Sequence, residues 1–176
     1  GGLMVVCHPP WSGLSEHDLL EGTGYLGIEV YNHLNLFANG KARCVELWDR
    51  LLCAGRRVWG FAGDDAHLVE PYRSRKRIGG GFTDLLLPEL STEAVIECLK
   101  AGRFVASCGP RIKAVRIEGT ELVVECTPCV QAHFASRSFG AGSDFAPMDE
   151  PRERFTFDLV GNRSRYETYL RIEVVD

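Results

Sequence analysis

Gly27-Ile28-Glu29-Val30-Tyr31 and Val58-Trp59-Gly60-Phe61-Ala62 enclose a segment in which Val45, Trp48, Leu51 and Leu52 recur at helical spacing. Gly55 stands just behind them, where a left-handed residue ends a helix. Strand, helix, strand in that order predicts a parallel α/β arrangement, either a barrel or an open sheet. Working outward toward the N-terminus, Leu3-Met4-Val5-Val6-Cys7 is a continuous apolar run, the pattern of a strand buried on both faces. Ser15-Glu16-His17-Asp18 supplies the capping signal of a short helix. Toward the C-terminus a fourth strand is expected over residues 83–87, a helix from Ser91 to 101 with Gly102 behind it, and a further strand over 104–107. After Gly109-Pro110 the helical patterns stop. Strands expected over 113–117, 121–126, 130–136, 154–159 and 166–175 predict a small antiparallel β module, its last strand running into Asp176 without a closing turn.

With 45% hydrophobic and 25% charged residues among 176, the chain has the composition of a globular protein with a real core. Twenty Lys and Arg against 24 Asp and Glu leave a net charge of −4, which argues against a nucleic-acid partner held by bulk positive charge. Any bound anion has to be caught locally. No apolar run reaches the roughly 18 residues of a membrane span, and the opening residues do not read as a secretory signal. The expected setting is therefore cytoplasmic, with no membrane partner. Seven cysteines, an odd number scattered among apolar neighbours, are expected as reduced thiols.

Chemistry concentrates behind two strands. His8-Pro9-Pro10-Trp11 follows the first and Gly63-Asp64-Asp65-Ala66-His67 the third, both at carboxyl ends, where parallel α/β folds carry their sites. Asp65 and His67, two apart in an extended segment, can present an oxygen and a nitrogen to one ion, and such a mixed set suits zinc, manganese or iron. On spacing alone the same residues serve equally well as loop or core histidines beside a turn. Arg73-Ser74-Arg75-Lys76-Arg77, followed by three glycines, reads first as a solvated basic loop and second as a collector of anionic substrate whose phosphate the glycine backbone could approach. Cys126-Thr127-Pro128-Cys129 spells a redox or zinc motif but lies between strands, so a hairpin turn is expected. Glu29 either faces the interior beside the site or pairs with a basic neighbour.

His8-Pro-x-Trp11, Gly27-Ile28-Glu29-Val30-Tyr31-Asn32, Asp64-Asp65-Ala66-His67, the glycine run before Phe82, and Gly102-Arg103-Phe104-Val105-Ala106-Ser107-Cys108-Gly109-Pro110 occur in that order. Together they resemble the second half of the PHP (polymerase and histidinol phosphatase) superfamily, nearest its CehA/McbA-like metallohydrolase branch. The resemblance implies a partial, distorted β/α barrel over residues 1–109 followed by an antiparallel β module over 110–176. It implies divalent metals, with His8, Asp65 and His67 as ligands, and hydrolysis of phosphate esters by a metal-activated water. Asn32 matches a polar residue at the barrel mouth and is grouped with Arg75 and Arg77 as a substrate contact. The family's H-x-H motif and its later His and Glu ligands lie upstream of the H-P motif, so three ligands here would hold one metal with an open position. The expected function is the C-terminal part of a metal-dependent phosphoesterase acting on a phosphorylated small molecule. The competing reading is a catalytically silent fragment or binding module. The apolar first strand is expected to pair in a homo-oligomer or with a separate N-terminal segment.

Overall fold

A computed structural model describes residues 2–67, 78–137, 141–166 and 168–176 of the chain. Its contacts divide into two units, Gly1–Cys108 and Gly109–Asp176. In the first, the elements run β1 (Val5–Val6), α1 (Pro9–Ser12), α2 (Glu16–Glu21), β2 (Gly27–Asn32), α3 (His33–Ala38), α4 (Val45–Cys53), β3 (Trp59–Gly63), β4 (Phe82–Leu85), α5 (Thr92–Ala101) and β5 (Phe104–Ser107). Local chemistry sets the helix ends. Ser15 and Asp18 form a reciprocal capping box on α2, and the Ser91 side chain accepts the Ala94 N–H at the start of α5. Gly102, at φ 68°, closes α5 in the left-handed conformation that glycine adopts without steric cost.

The strands β1, β2 and β3 form a parallel sheet with β2 in the middle. Helix α4 covers it: Leu51 is fully buried against Ile28, Val30 and Val58, and the Trp48 indole N–H donates to the Val58 carbonyl at 2.9 Å. The β2–β3 approach is close enough that a Cβ on Gly27 would lie 2.3 Å from the Trp59 carbonyl oxygen.

Here the expectation of a partial β/α barrel is corrected. Strands β4 and β5 pair antiparallel, Phe82 opposite Ser107, in a two-stranded sheet of their own. No β/α barrel forms among the described residues. The Thr83 hydroxyl bridges to β3 instead of a ladder, accepting the Ala62 N–H at 3.1 Å and donating to the Ala62 carbonyl at 2.9 Å. The physical reason is that residue alternation along a strand is the same in parallel and antiparallel pairs. Direction is set by the connection, which periodicity does not encode.

The second unit comprises β6 (Ile112–Glu118), β7 (Glu121–Cys129), β8 (Gln131–Ala135), β9 (Gly142–Phe145), β10 (Arg152–Asp158), a 3-10 turn (Arg163–Arg165) and β11 (Arg171–Val175). These make two antiparallel sheets, β10-β7-β6 and β11-β8-β9. One core joins their inner faces: Phe134 stacks on Phe157 with ring centroids 4.7 Å apart, and Val124, Cys126, Cys129 and Phe155 are fully buried with them. Burying each large apolar side chain contributes about 1.5–3 kcal/mol. No helix among the described residues is long and apolar enough to cross a membrane.

Candidate functional site

The carboxyl ends of β1, β2 and β3 lead into His8, Asn32 and Asp65, so one edge of the parallel sheet gathers residues far apart in sequence. Backbone strain marks two of them. His8, at φ 35°, and Asp65, at φ 51°, are the non-glycine residues with positive φ among those described. A left-handed L-residue costs about 1–2 kcal/mol, and it persists only where its surroundings hold it.

A hydrogen-bonded bridge does the holding. The His8 backbone N–H donates to Glu29 Oε2 at 2.7 Å, and Asn32 Nδ2 donates to the same oxygen at 3.0 Å and to Asp65 Oδ2 at 3.2 Å. Asn32 Oδ1 accepts the Asn35 N–H at 3.0 Å and so caps α3. Asn32 was expected to contact substrate. The structure places it at 2% exposure, with its carbonyl and both amide hydrogens engaged in holding the start of α3 and two carboxylates. Glu29 faces the site as the anchor of the His8 backbone rather than as the partner of a cation.

The two imidazoles are oriented separately. His8 Nδ1 lies 3.0 Å from Ser12 Oγ, and its ring meets Trp11 edge-on at 4.9 Å. His67 Nδ1 lies 2.7 Å from the Asp65 carbonyl oxygen, which only accepts, so Nδ1 is the donor in that bond. Asp65 is 32% exposed and His67 51%, accessible enough for both to take a ligand. His8, Asp65 and His67 therefore share one edge, yet no three His, Cys, Asp or Glu side chains close round a single point among the described residues. The donor set fits a divalent ion by kind, in part, without forming a finished shell.

Asp64, quoted in the motif without a role of its own, explains the glycine run. Its carboxylate accepts the backbone N–H groups of Gly79, Gly80 and Gly81, the latter two at 2.9 Å. The glycine amides expected beside a substrate phosphate thus hold a carboxylate of the chain itself. Gly80 packs so tightly on His33 that a Cβ there would lie 2.1 Å from the ring. Arg75 and Arg77, with the rest of the basic run, lie outside the described residues.

Carboxylates colour the surroundings. Burial pushes the Cys7 thiol up, and the charges of Glu29 and Asp65 push it further. Burial likewise pushes Cys44 up to about 12, with Glu29 adding to the effect. The Glu29–Asn32–Asp65 bridge was invisible in the sequence, because Asn32 and Asp65 are 33 residues apart and meet only once β3 docks beside β2. The available signal for α1 was Pro9 directly after His8, a residue pair that favours a helix start.

No protein-family model matches the chain, and neither the curated proteins nor the solved structures contain a significant match.

Proposed function

We propose that the chain binds a divalent metal through His8, Asp65 and His67 and works as part of a metal-dependent phosphoesterase of the PHP kind, acting on a phosphorylated small molecule. The observation that carries this reading is the pair of strained residues, His8 and Asp65, tied together by Glu29 and Asn32 at the carboxyl edge of a parallel sheet. They are two of the three positions that the motif resemblance assigns as ligands. Bound there, zinc, manganese or iron would supply Lewis acidity and a water acidified toward neutral pH.

The chain's own groups do the positioning. Asn32 holds Asp65 Oδ2, Glu29 holds the His8 backbone, and the Asp65 carbonyl orients the His67 ring by accepting from Nδ1. Arg75 and Arg77 attract the substrate's phosphate, which a net charge of −4 does not. Three ligands leave the remaining positions to water, substrate or groups from elsewhere. The second reading, a binding module without turnover, is favoured by the unfinished donor shell among the described residues.

Turnover of an aryl phosphate with added manganese separates the two. Hydrolysis lost in Asp65→Asn, with KM raised by neutralising Arg75 and Arg77, supports the phosphoesterase. Metal binding with no hydrolysis supports the silent module, and neither binding nor hydrolysis overturns both.

A further inference from the structure

One edge of the second unit carries core-facing side chains out into solvent. Across the β6–β7 ladder Val115 stands opposite Val124 and Ile117 opposite Leu122. Opposite residues share a face of a sheet, so Val115 and Ile117 lie on the face that packs into the core. Val124 is fully buried and Leu122 nearly so, yet Val115 is 47% exposed and Ile117 66%. The apolar face therefore runs past the core at β6, the outermost strand of the order β10-β7-β6.

The backbone of the same strand is open. The Thr156 N–H donates to Asp144 Oδ2 at 3.1 Å, so at this position β10 turns its backbone groups away from β7. Its opposite residue, Val123, then turns N–H and C=O toward β6, where Arg116 stands opposite. Arg116 therefore bonds β7, and by alternation Val115 and Ile117 direct their N–H and C=O groups outward. Among the described residues no strand pairs with this outer edge and no side chain bonds those N–H groups.

We propose that β6 pairs antiparallel with β6 of a second copy of this chain, about a two-fold axis at Arg116, joining two three-stranded sheets into one of six strands. In that register Val115 faces Ile117 of the second copy and Ile117 faces its Val115. These are the residues whose outward backbone groups need partners, and both apolar pairs fall on the core face. The paired run covers residues 114–118, an ordinary strand length. The opposite face is compatible in charge. The two copies of Arg116 meet at the axis, but each is already bonded to its own Glu118 and Glu125 at 2.6 Å, and Glu118 of the second copy lies on the diagonal. Arg154 also bonds Glu118, so each chain brings two arginines and two glutamates to this patch and no net charge. Lys113, a residue type that guards open edges, is drawn to Glu153 at 3.0 Å and precedes the paired run. The pairing uses the same edge in both copies, so association through it stops at two. Strand β1, by comparison, offers an edge of two residues, Val5–Val6.

Sedimentation of the full chain over a range of concentrations tests this. Expected is a mass of two chains that falls toward one on dilution. In Ile117→Lys the mass should be one chain at all the same concentrations, with circular dichroism unchanged because the side chain is exposed. A natural chain that stays single throughout overturns the proposal and leaves the edge to a different partner. A dimer that survives Ile117→Lys overturns it by placing the contact elsewhere. Arg116→Cys reads the register: a non-hydrogen-bonded antiparallel pair brings Cα atoms to about 4.5 Å, within reach of a disulfide. Mild oxidation should give a covalent dimer whose peptide map joins position 116 of one chain to position 116 of the other, and dimers without that link overturn the register. If Ile117→Lys fails to fold, the link at 116 decides, its presence supporting the pairing and its absence overturning it.

Discussion

Replacing Asn32 by Asp keeps the size of the side chain and an oxygen that can cap α3, but removes both N–H donors and sets a third carboxylate against two others. The native amide lies 3.0 Å from Glu29 Oε2 and 3.2 Å from Asp65 Oδ2. A hydrogen bond to a charged group contributes about 1.5–3 kcal/mol, with the lower end appropriate to the partly exposed Asp65. Losing both and adding like-charge repulsion should cost about 3–5 kcal/mol at neutral pH, a large share of the roughly 5–15 kcal/mol typical of a folded domain. All three tryptophans, Trp11, Trp48 and Trp59, lie in the first unit, so urea unfolding followed by their fluorescence reports on the right part of the chain. The loss should depend on pH. Held between two carboxylates, the introduced carboxyl keeps its proton to higher pH in the folded state than in the unfolded one. The variant's stability therefore falls as pH rises from about 4 through that raised value, and the deficit narrows on acidification. A loss under about 1 kcal/mol that does not change with pH would refute the role given to Asn32.

Gly80→Ala should cost about 1–3 kcal/mol or more, because its Cβ would fall 2.1 Å from the His33 ring and disturb the 2.9 Å Tyr31–His33 bond; unchanged urea stability would contradict that packing. Hydrogen bonds from Arg154 first and Arg116 second hold the Glu118 carboxyl below its ordinary range, so the associated stability is present above the unfolded value and is lost as pH falls through the folded one. In Arg154→Ala the NMR titration midpoint of Glu118 should move up, and an unmoved midpoint would show that the pair is not formed in solution. Phe155→Ala should destabilise the second unit by about 3–5 kcal/mol in far-ultraviolet unfolding curves, since the ring is fully buried in its core; a loss below about 1 kcal/mol would argue against that core.

Signals carried by neighbours in sequence were legible. Ser15 and Ser91 marked helix starts and Gly102 a helix end because caps are local chemistry, and Val45, Trp48, Leu51 and Leu52 marked α4 because one face of a helix repeats every three to four residues. Helix α3 was missed: Asn32 ends a strand and caps a helix at once, leaving no polar linker to announce the change. The direction of β5 against β4 was beyond reach, since alternation is blind to direction, and the barrel expectation failed at that point. In the site, residue types were readable and their connections were not. Asp65 stood out as a ligand type, but the Asn32 amide that fixes it and the three glycine amides that fix Asp64 depend on segments meeting in space. The same limit applies to Cys126-Thr127-Pro128-Cys129, expected as a hairpin turn and found inside β7, where the register shift against β10 is set by pairing that the motif does not encode.

The central claim is a divalent-metal site built on strained His8 and Asp65, and manganese binding tests it most directly because that ion prefers oxygen and nitrogen donors and leaves the seven thiols out of the competition. Titration of manganese into the full chain, followed by electron paramagnetic resonance and calorimetry, should show one site. In Asp65→Asn the affinity should fall by more than about tenfold while circular dichroism stays unchanged. Equal affinity in the two proteins, or no binding by the natural chain, would contradict the account.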